Sequence, residues 1–541
     1  MPVQKFCPAW GGAFFPVSGT EEEEGTMKKL CTLLLAAGLV FGAATGASAI
    51  DFQAKGQWLM GFGVQDTNFI HKTRNADGKK SATNTDDKFG AVQRLRLQLD
   101  AVASESLSGT VGFEIGTTTW GQAESGGALG ADATNVIRLK RAYIDWMVPE
   151  TDLKFRMGIQ GVTLPNVAGG SAVMDTDVAA ITANYKFNDA VSLTALWARP
   201  LNDNFDGNRT IGRHDSNRAG YLDNLDLFSL MVPVTLDGFS ITPWAMLGMK
   251  GANSMEGIAK WQGRSSENGF STRDGNPNYS LYPYPGLAGR NNIGGTSKGY
   301  GTLFWAGLPF AITAFDPLNI EVDLNYGYSE PMGRYWASKN GVAKRSSTER
   351  QGWLAKALVE YKMDWGVPGI FGWYGSGDDG NPKNGSERMP SVVPMGNFTS
   401  FMGDGNYGWA WQDFCLDYSG TWGIGLQVRD MSFVEDLSHT FRVAYWGGTN
   451  STGMVKYMEN SWAWNDGMGS NTGPYLTTND GLLEFNLVNN YKMYENFDIN
   501  LELGYIANFV DNDTWKKAGA RNTSFQKQDV WKAEVIFAYS F

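Results

Sequence analysis

The chain alternates apolar and polar residues with a period of two from Phe52 to its last residue. In the final stretch Trp531, Ala533, Val535, Phe537, Tyr539 and Phe541 take one side of an extended strand. Lys532, Glu534, Ala538 and Ser540 take the other, with Ile536 as the large apolar exception. The first stretch reads the same way: Phe52, Ala54, Gly56, Trp58, Met60, Phe62 and Val64 face one side, and Gln53, Lys55 and Gln57 the other. That spacing belongs to β-strands with two unlike faces. Between Val136 and Val148 the phase slips, because Ile137 and Leu139 occupy one parity and Ile144 and Trp146 the other. A bulge near Lys140-Arg141 reconciles them.

The connections carry the stronger signal. Short turns such as Pro149–Asp152, Asn188–Ala190, Asp237-Gly238 and Glu435-Asp436 alternate strictly with long polar stretches rich in Gly, Asn and Ser. A soluble sandwich has no reason to place a long connection at every second position. An up-and-down transmembrane antiparallel β-barrel does, with long extracellular loops and short periplasmic turns. Nine loops and eight turns predict an all-β barrel of 18 strands; sixteen follow if the weak strands at Tyr300–Ala314 and Ile370–Tyr374 drop out. Trp146, Tyr185, Phe187, Tyr361, Trp365, Tyr494, Phe497 and Phe541 lie beside short turns, and Trp120, Trp197, Trp373 and Tyr445 beside long loops. Rings with one wet edge favour the two membrane interfaces, so two aromatic girdles are expected.

Composition narrows the class. Charged residues make up 19% of the chain, with 67 Gly and 20 Trp, and the mean hydropathy is −0.29. A barrel that shows apolar residues one position in two gives that balance; a bundle of membrane helices does not. A net charge of −11 argues against nucleic acid as a partner. Met27–Ala49 has two lysines, an apolar run too short to span, and Ala47-Ser48-Ala49 at its end, which predicts a cleaved signal peptide. Residues 1–26 then read as a probable non-native upstream extension, and 50–541 as the barrel. Of Cys7, Cys31 and Cys415, only the last lies in the mature part, so a disulfide framework is not expected.

Ile50-Asp-Phe, Arg141-Ala-Tyr-Ile-Asp-Trp146 before a tight turn, Phe155-Arg-Met-Gly-Ile-Gln160 and the terminal Tyr539-Ser-Phe541 together resemble the Gram-negative porins, in particular the homotrimeric outer-membrane porins of sulfate-reducing bacteria. The resemblance implies a cell outer membrane location, a homotrimer, a water-filled pore in each subunit and a third loop folded inward. That loop is Gly161 to Asp177, with Pro165, Asp175 and Asp177 as its constriction residues. It also implies contact with bilayer lipid and lipopolysaccharide, insertion by the barrel-assembly machinery, and Phe541 as the assembly signal.

If the apolar parity faces lipid, the other parity faces water. Basic residues Arg94, Arg96, Arg138, Lys140, Arg141 and Arg156 then line the pore on early strands. Glu114, Glu321, Asp323, Glu484 and Glu502 supply acid, the last four on more distant walls. Separated rows of opposite charge set up a field across a pore, and basic rows favour anions. The expected function is passive diffusion of small hydrophilic solutes and ions with some anion preference. The competing reading pairs the arginines with Asp100, Glu114 and Asp145 as wall filling.

Other chemistries have less behind them. His71, His214 and His439 lie in or beside loops and turns, without a His-Glu-x-x-His motif. A barrel enzyme such as an outer-membrane phospholipase, and a secreted soluble β protein, stay as alternatives; no catalytic residue is assigned and no cofactor is expected. Asp378, Asp379, Asp511 and Asp513 are weak Ca²⁺ candidates that match no full EF-hand spacing.

Overall fold

The computed structural model describes residues 50–66, 70–72, 88–121, 137–202, 222, 224–252, 281, 298–339, 342–402, 418–457, 475–515 and 525–541. The proposed signal peptide, the upstream extension, Cys415 and His214 lie outside the described residues.

The strands of the barrel, in chain order, are β1 (Asp51–Asp66), β2 (Lys88–Ser104), β3 (Leu107–Thr119), β4 (Ile137–Met147), β5 (Leu153–Thr163) and β6 (Asp175–Lys186). Then come β7 (Ser192–Asn202), β8 (Asn224–Met231 with Val234–Leu236) and β9 (Phe239–Ile241 with Trp244–Gly251). They are followed by β10 (Tyr300–Phe315), β11 (Leu318–Ser329), β12 (Arg350–Tyr361) and β13 (Val367–Gly375). The last are β14 (Thr421–Val434), β15 (Leu437–Gly448), β16 (Gly481–Tyr494), β17 (Phe497–Asn508) and β18 (Val530–Ser540).

The sheet has 20 hydrogen-bonded segments. Two pairs of these are single strands interrupted at Pro233 and Pro243, residues with no N–H for the ladder, so the barrel has eighteen strands. Each strand pairs antiparallel with its neighbours in sequence, and β1 pairs with β18 from Gln57↔Ser540 to Asp66↔Trp531. The sheet therefore closes and leaves no edge, which a spanning β structure requires. The seam runs on to the last residue, since Gly56 and Phe541 exchange backbone hydrogen bonds of 2.8 and 3.0 Å. Gly56 has to be glycine there: a Cβ would stand 2.6 Å from the Phe541 ring and 2.7 Å from the Arg96 carbonyl.

The predicted phase slip is a bulge. Gly112 pairs with Arg141 but Phe113 pairs with Leu139, leaving Lys140 as the extra residue. Turn chemistry closes the short ends; Gly238, for instance, has φ 69° in the Asp237-Gly238 hairpin.

Burial is inverted relative to a water-soluble domain. Ile137, Leu139, Leu230, Leu247, Leu426 and Phe441 are exposed on the outer wall, while Arg94, Glu114, Lys356, Glu484, Glu502 and Lys532 are buried. Of the expected aromatic girdles, Trp146, Tyr185, Phe187, Tyr361, Trp365, Tyr494 and Phe541 are exposed near the short turns, and Trp120, Trp197 and Tyr445 near the long loops. Trp373 departs from the expectation: it is buried, and Tyr374 takes the outward place. Trp373 sits in an internal aromatic group with Trp446, whose ring centroid is 4.6 Å away.

Candidate functional site: a lumen narrowed by two loops

The inner wall presents alternate residues of each strand, and the bulge in β4 changes what it can present. In a regular strand Lys140 and Arg141 would point to opposite faces. With Lys140 as the extra residue both turn inward, and both hold Asp177 of β6, at 2.7 Å from Lys140 Nζ and 2.8 Å from Arg141 Nε. Arg96 on β2 holds Glu114 of β3 at 2.9 Å, and Lys140 reaches the same carboxylate at 3.8 Å. Arg138 stands opposite Glu114 in the β3–β4 register. Arg156 on β5 donates from Nε and Nη2 to Asp145 at 2.7 and 2.8 Å, with its guanidinium 4.2 Å from the centre of the Tyr143 ring. Lys55 on β1 reaches Asp100 at 3.2 Å. The six basic residues expected in the pore thus share one sector, β2 to β5, together with the acids of the wall-filling reading. Arg94 in that row is buried.

The opposite side is occupied by chain. Residues 164–174 between β5 and β6 turn into the barrel, and Leu164, Ala168, Val173 and Met174 are completely buried. The far wall grips this loop: Asp323 on β11 accepts from Val167 N at 3.1 Å and from Ala168 N at 3.3 Å. Lys356 on β12 bridges Asp323 at 3.0 Å and also donates to the Ala168 and Gly170 carbonyls. Of the expected constriction residues, Pro165 lies within this inward turn and Asp175 directly follows it, held by Thr163 Oγ1 at 2.8 Å. Asp177 belongs to the wall.

A second inward loop was not expected from the sequence. Residues 389–402, between β13 and β14, lie against the first loop. Val392 and Val393 donate to the Val173 carbonyl at 2.8 and 3.2 Å, Met395 to Ser171 at 2.8 Å, and Asn397 to Gly169 at 3.1 Å. Its tip reaches the inner face of β16 and β18. Phe401 N donates to Glu484 at 3.2 Å, Ser400 N to Asn486 at 3.1 Å, and Lys532 Nζ to the Ser400 carbonyl at 3.1 Å. Glu484 also accepts from Trp446 Nε1 and Asn486 Nδ2, both at 2.9 Å, and Glu502 pairs with Lys532. Asp323, Glu484 and Glu502 are therefore inward but covered, whereas Glu321 on β11 is half-buried and accepts from Asn319 at 2.9 Å. The apolar run Met389-Pro-Ser-Val-Val-Pro-Met395, unusual in a polar loop, was the available signal for this second inward segment.

The Ca²⁺ candidates spend their oxygens on protein donors. Asp378 accepts from Ser386 Oγ at 2.6 Å and Tyr475 OH at 2.8 Å, and Asp379 from Asn381 N at 2.7 Å and Asn384 Nδ2 at 3.0 Å. Asp511 accepts from Thr514 N at 3.0 Å and from Asp513 N at 3.3 Å, capping a short helical turn. Among the described residues, no three His, Cys, Asp or Glu side chains converge as a metal site. His439 Nδ1 lies 2.6 Å from Asn489 Oδ1 on the inner wall near a short turn.

No protein-family model matches the sequence, and no curated protein matches it. Among solved structures the chain is similar to OpdL of Pseudomonas aeruginosa, with 10% identity over 91% of this chain and 99% of that one and a TM-score of 0.46. OccK8 (OprE) of the same organism gives 10% identity, 91% and 98% coverage, and a TM-score of 0.45. The outer membrane channel DcaP of Acinetobacter baumannii gives 10% identity, 92% and 99% coverage, and a TM-score of 0.38. What the protein does has to be read from its own lumen.

Proposed function

We propose that the protein is an outer-membrane porin: a homotrimer whose subunits each pass small hydrophilic solutes and ions by diffusion, with a preference for anions. The closed barrel with an apolar outer wall suits a bilayer, and the two inward loops would restrict passage to the sector lined by β1 to β6.

One observation carries the anion preference. In three ion pairs of the wall from β1 to β6, the cation is clearly the more exposed member. Side-chain exposures are 63% for Lys55 against 14% for Asp100, 36% for Arg141 against 14% for Asp177, and 36% for Arg156 against 16% for Asp145. An ion in the lumen meets the ammonium and guanidinium groups first, with the carboxylates set behind them. Screening over about 8 Å at physiological salt makes that layering matter, because the nearer charge dominates. Pairing of the arginines and a positive pore surface are thus compatible. The test is the zero-current potential of the purified protein in planar bilayers under a potassium chloride gradient. The expected sign is that of chloride permeation in trimeric conductance steps. A potassium-selective sign would refute the preference, and a detergent-free soluble protein without channels would refute the porin reading.

A further inference from the structure

The connection between β13 and β14 contains an asparagine followed by a glycine that the fold cannot exchange. Gly385 is buried with φ 112°, and a Cβ there would collide with the Glu349 carbonyl oxygen. The chain beyond it is fixed, because Ser386 N donates to that same carbonyl at 2.9 Å and Gln351 N to the Ser386 carbonyl at 3.0 Å. Among the described residues the Gly385 N–H itself donates to no group, an uncommon state for a buried residue. Asn384 before it is exposed, and its Nδ2 bridges two carboxylates, Asp379 Oδ2 and Glu387 Oε1, each at 3.0 Å. Glu387 Oε2 also accepts from Asp379 N at 3.0 Å, so the two acids lie side by side with the Asn384 amide as their shared donor.

We propose that Asn384 is a self-modification site, where the Gly385 nitrogen converts the side-chain amide to a carboxylate and so releases the loop. Gly385 N gives up its proton and attacks Asn384 Cγ. The Cγ–Nδ2 bond breaks, and the nitrogen leaves as ammonia with that proton. Water then opens the five-membered imide at either carbonyl, leaving an aspartate or an isoaspartate, with nothing oxidised or reduced. The nucleophile has no hydrogen bond to surrender. The peptide is anchored on both sides, since Asn381 N donates to Asp379 Oδ1 at 2.7 Å just before it and Ser386 is tied to Glu349 just after. Reaction between groups already held together outpaces reaction between free ones. The product sets a third carboxylate against Asp379 and Glu387 and removes their common donor. Like charges at that range repel, so residues 379–387 loosen. None of this depends on what the channel carries.

The test uses the whole purified protein, kept folded in mildly alkaline buffer and sampled over time by peptide mass mapping. The peptide carrying residue 384 is expected to gain the mass of an amide-to-acid conversion, with isoaspartate detected by enzymatic methylation, on the same time course as in a heat-denatured sample. Asn384→Gln is expected to abolish the gain, because the larger ring closes far more slowly. Asn384→Asp is expected to lose protease resistance between residues 379 and 387 without ageing, while the rest of its digestion pattern stays that of the parent. An unmodified Asn384 in the folded protein, after the denatured sample has converted, overturns the proposal. Full protease resistance of Asn384→Asp overturns the release of the loop.

Discussion

Lys356 is the residue through which the first inward loop can be released. Its side chain is completely buried, and its ammonium touches three acceptors: the Asp323 carboxylate at 3.0 Å and the carbonyls of Ala168 and Gly170. Asp323, itself 2% exposed on its side chain, accepts the loop N–H groups of Val167 and Ala168. Lys356→Met removes the cation while leaving its carboxylate partner buried, a change that costs about 3–5 kcal/mol. The loop keeps the backbone bonds from Val392, Val393, Met395 and Asn397, each worth about 1 kcal/mol net, the Tyr418 hydroxyl on the Gly169 carbonyl, and the burial of Leu164, Val173 and Met174. The loss therefore loosens residues 167–170 against the far wall and leaves the rest of the loop packed. Single-channel recording is the assay: the variant should show larger mean conductance and more open-channel noise than the parent. Lys356→Met with Asp323→Leu should recover part of the stability, because no isolated charge is left behind, but not the quiet conductance. Normally inserted Lys356→Met channels with unchanged conductance and noise would sink the idea that this pair holds the constriction.

Three further outcomes follow from the same geometry. Asp177→Asn leaves Lys140 and Arg141 inward without their shared carboxylate, so the zero-current potential should move further toward chloride; a shift toward potassium would contradict the layering of charges. Glu387, in the long connection between β13 and β14, is pushed up to about 7 by burial, with Asp378 and Asp379 adding like charge. A raised carboxyl pKa stabilises the loop below the ordinary value near 4.5 and loses that stability as pH rises through 7, so resistance of this loop to proteolysis should fall across that window. Glu387→Gln should flatten the profile, and an unchanged profile would exclude the residue as its source. Gly56→Val should displace the Phe541 ring from the seam and lower the yield of heat-resistant assembled protein; wild-type assembly would show that the ring's seat is dispensable.

The barrel was legible because each of its strands repeats one physical rule, apolar residues on the outer wall and polar residues toward the lumen. Even the bulge could be read, since a single extra residue changes the parity of everything after it. The interior was less legible because the two-residue period says which face a side chain takes and nothing about what covers it. Asp323 and Glu484 have the right parity, yet they accept hydrogen bonds from loop residues more than eighty positions away in the chain. Trp373 misled for a related reason. An aromatic beside a long loop suits the membrane interface, but here Phe398 of the second inward loop stacks against it at 6.0 Å, and Tyr418, just before β14, meets it edge-on at 5.6 Å. Lys356 has the inward parity of its strand, and only the loop above it accounts for its burial.

The covering loops also bear on how an acidic protein could present the basic lumen that the proposed function requires. Net charge, −11 over the whole chain, says little about the field in a pore. What matters is which charges remain in contact with water there. On the far wall Asp323 is bound by Lys356 and two loop N–H groups, Glu484 by a loop N–H, an indole and an amide, and Glu502 by Lys532. Each of these acids lies beneath chain, so its field is answered locally by the groups that hold it. On the β2–β5 sector Arg141 and Arg156 keep 36% of their side chains exposed. Folding the two uncharged loops against the acidic wall therefore performs two tasks at once. It narrows the passage, and it removes the carboxylates that would oppose the basic side. Freeing a loop should accordingly weaken anion preference as it widens the pore, and the Lys356→Met channel should show both changes together.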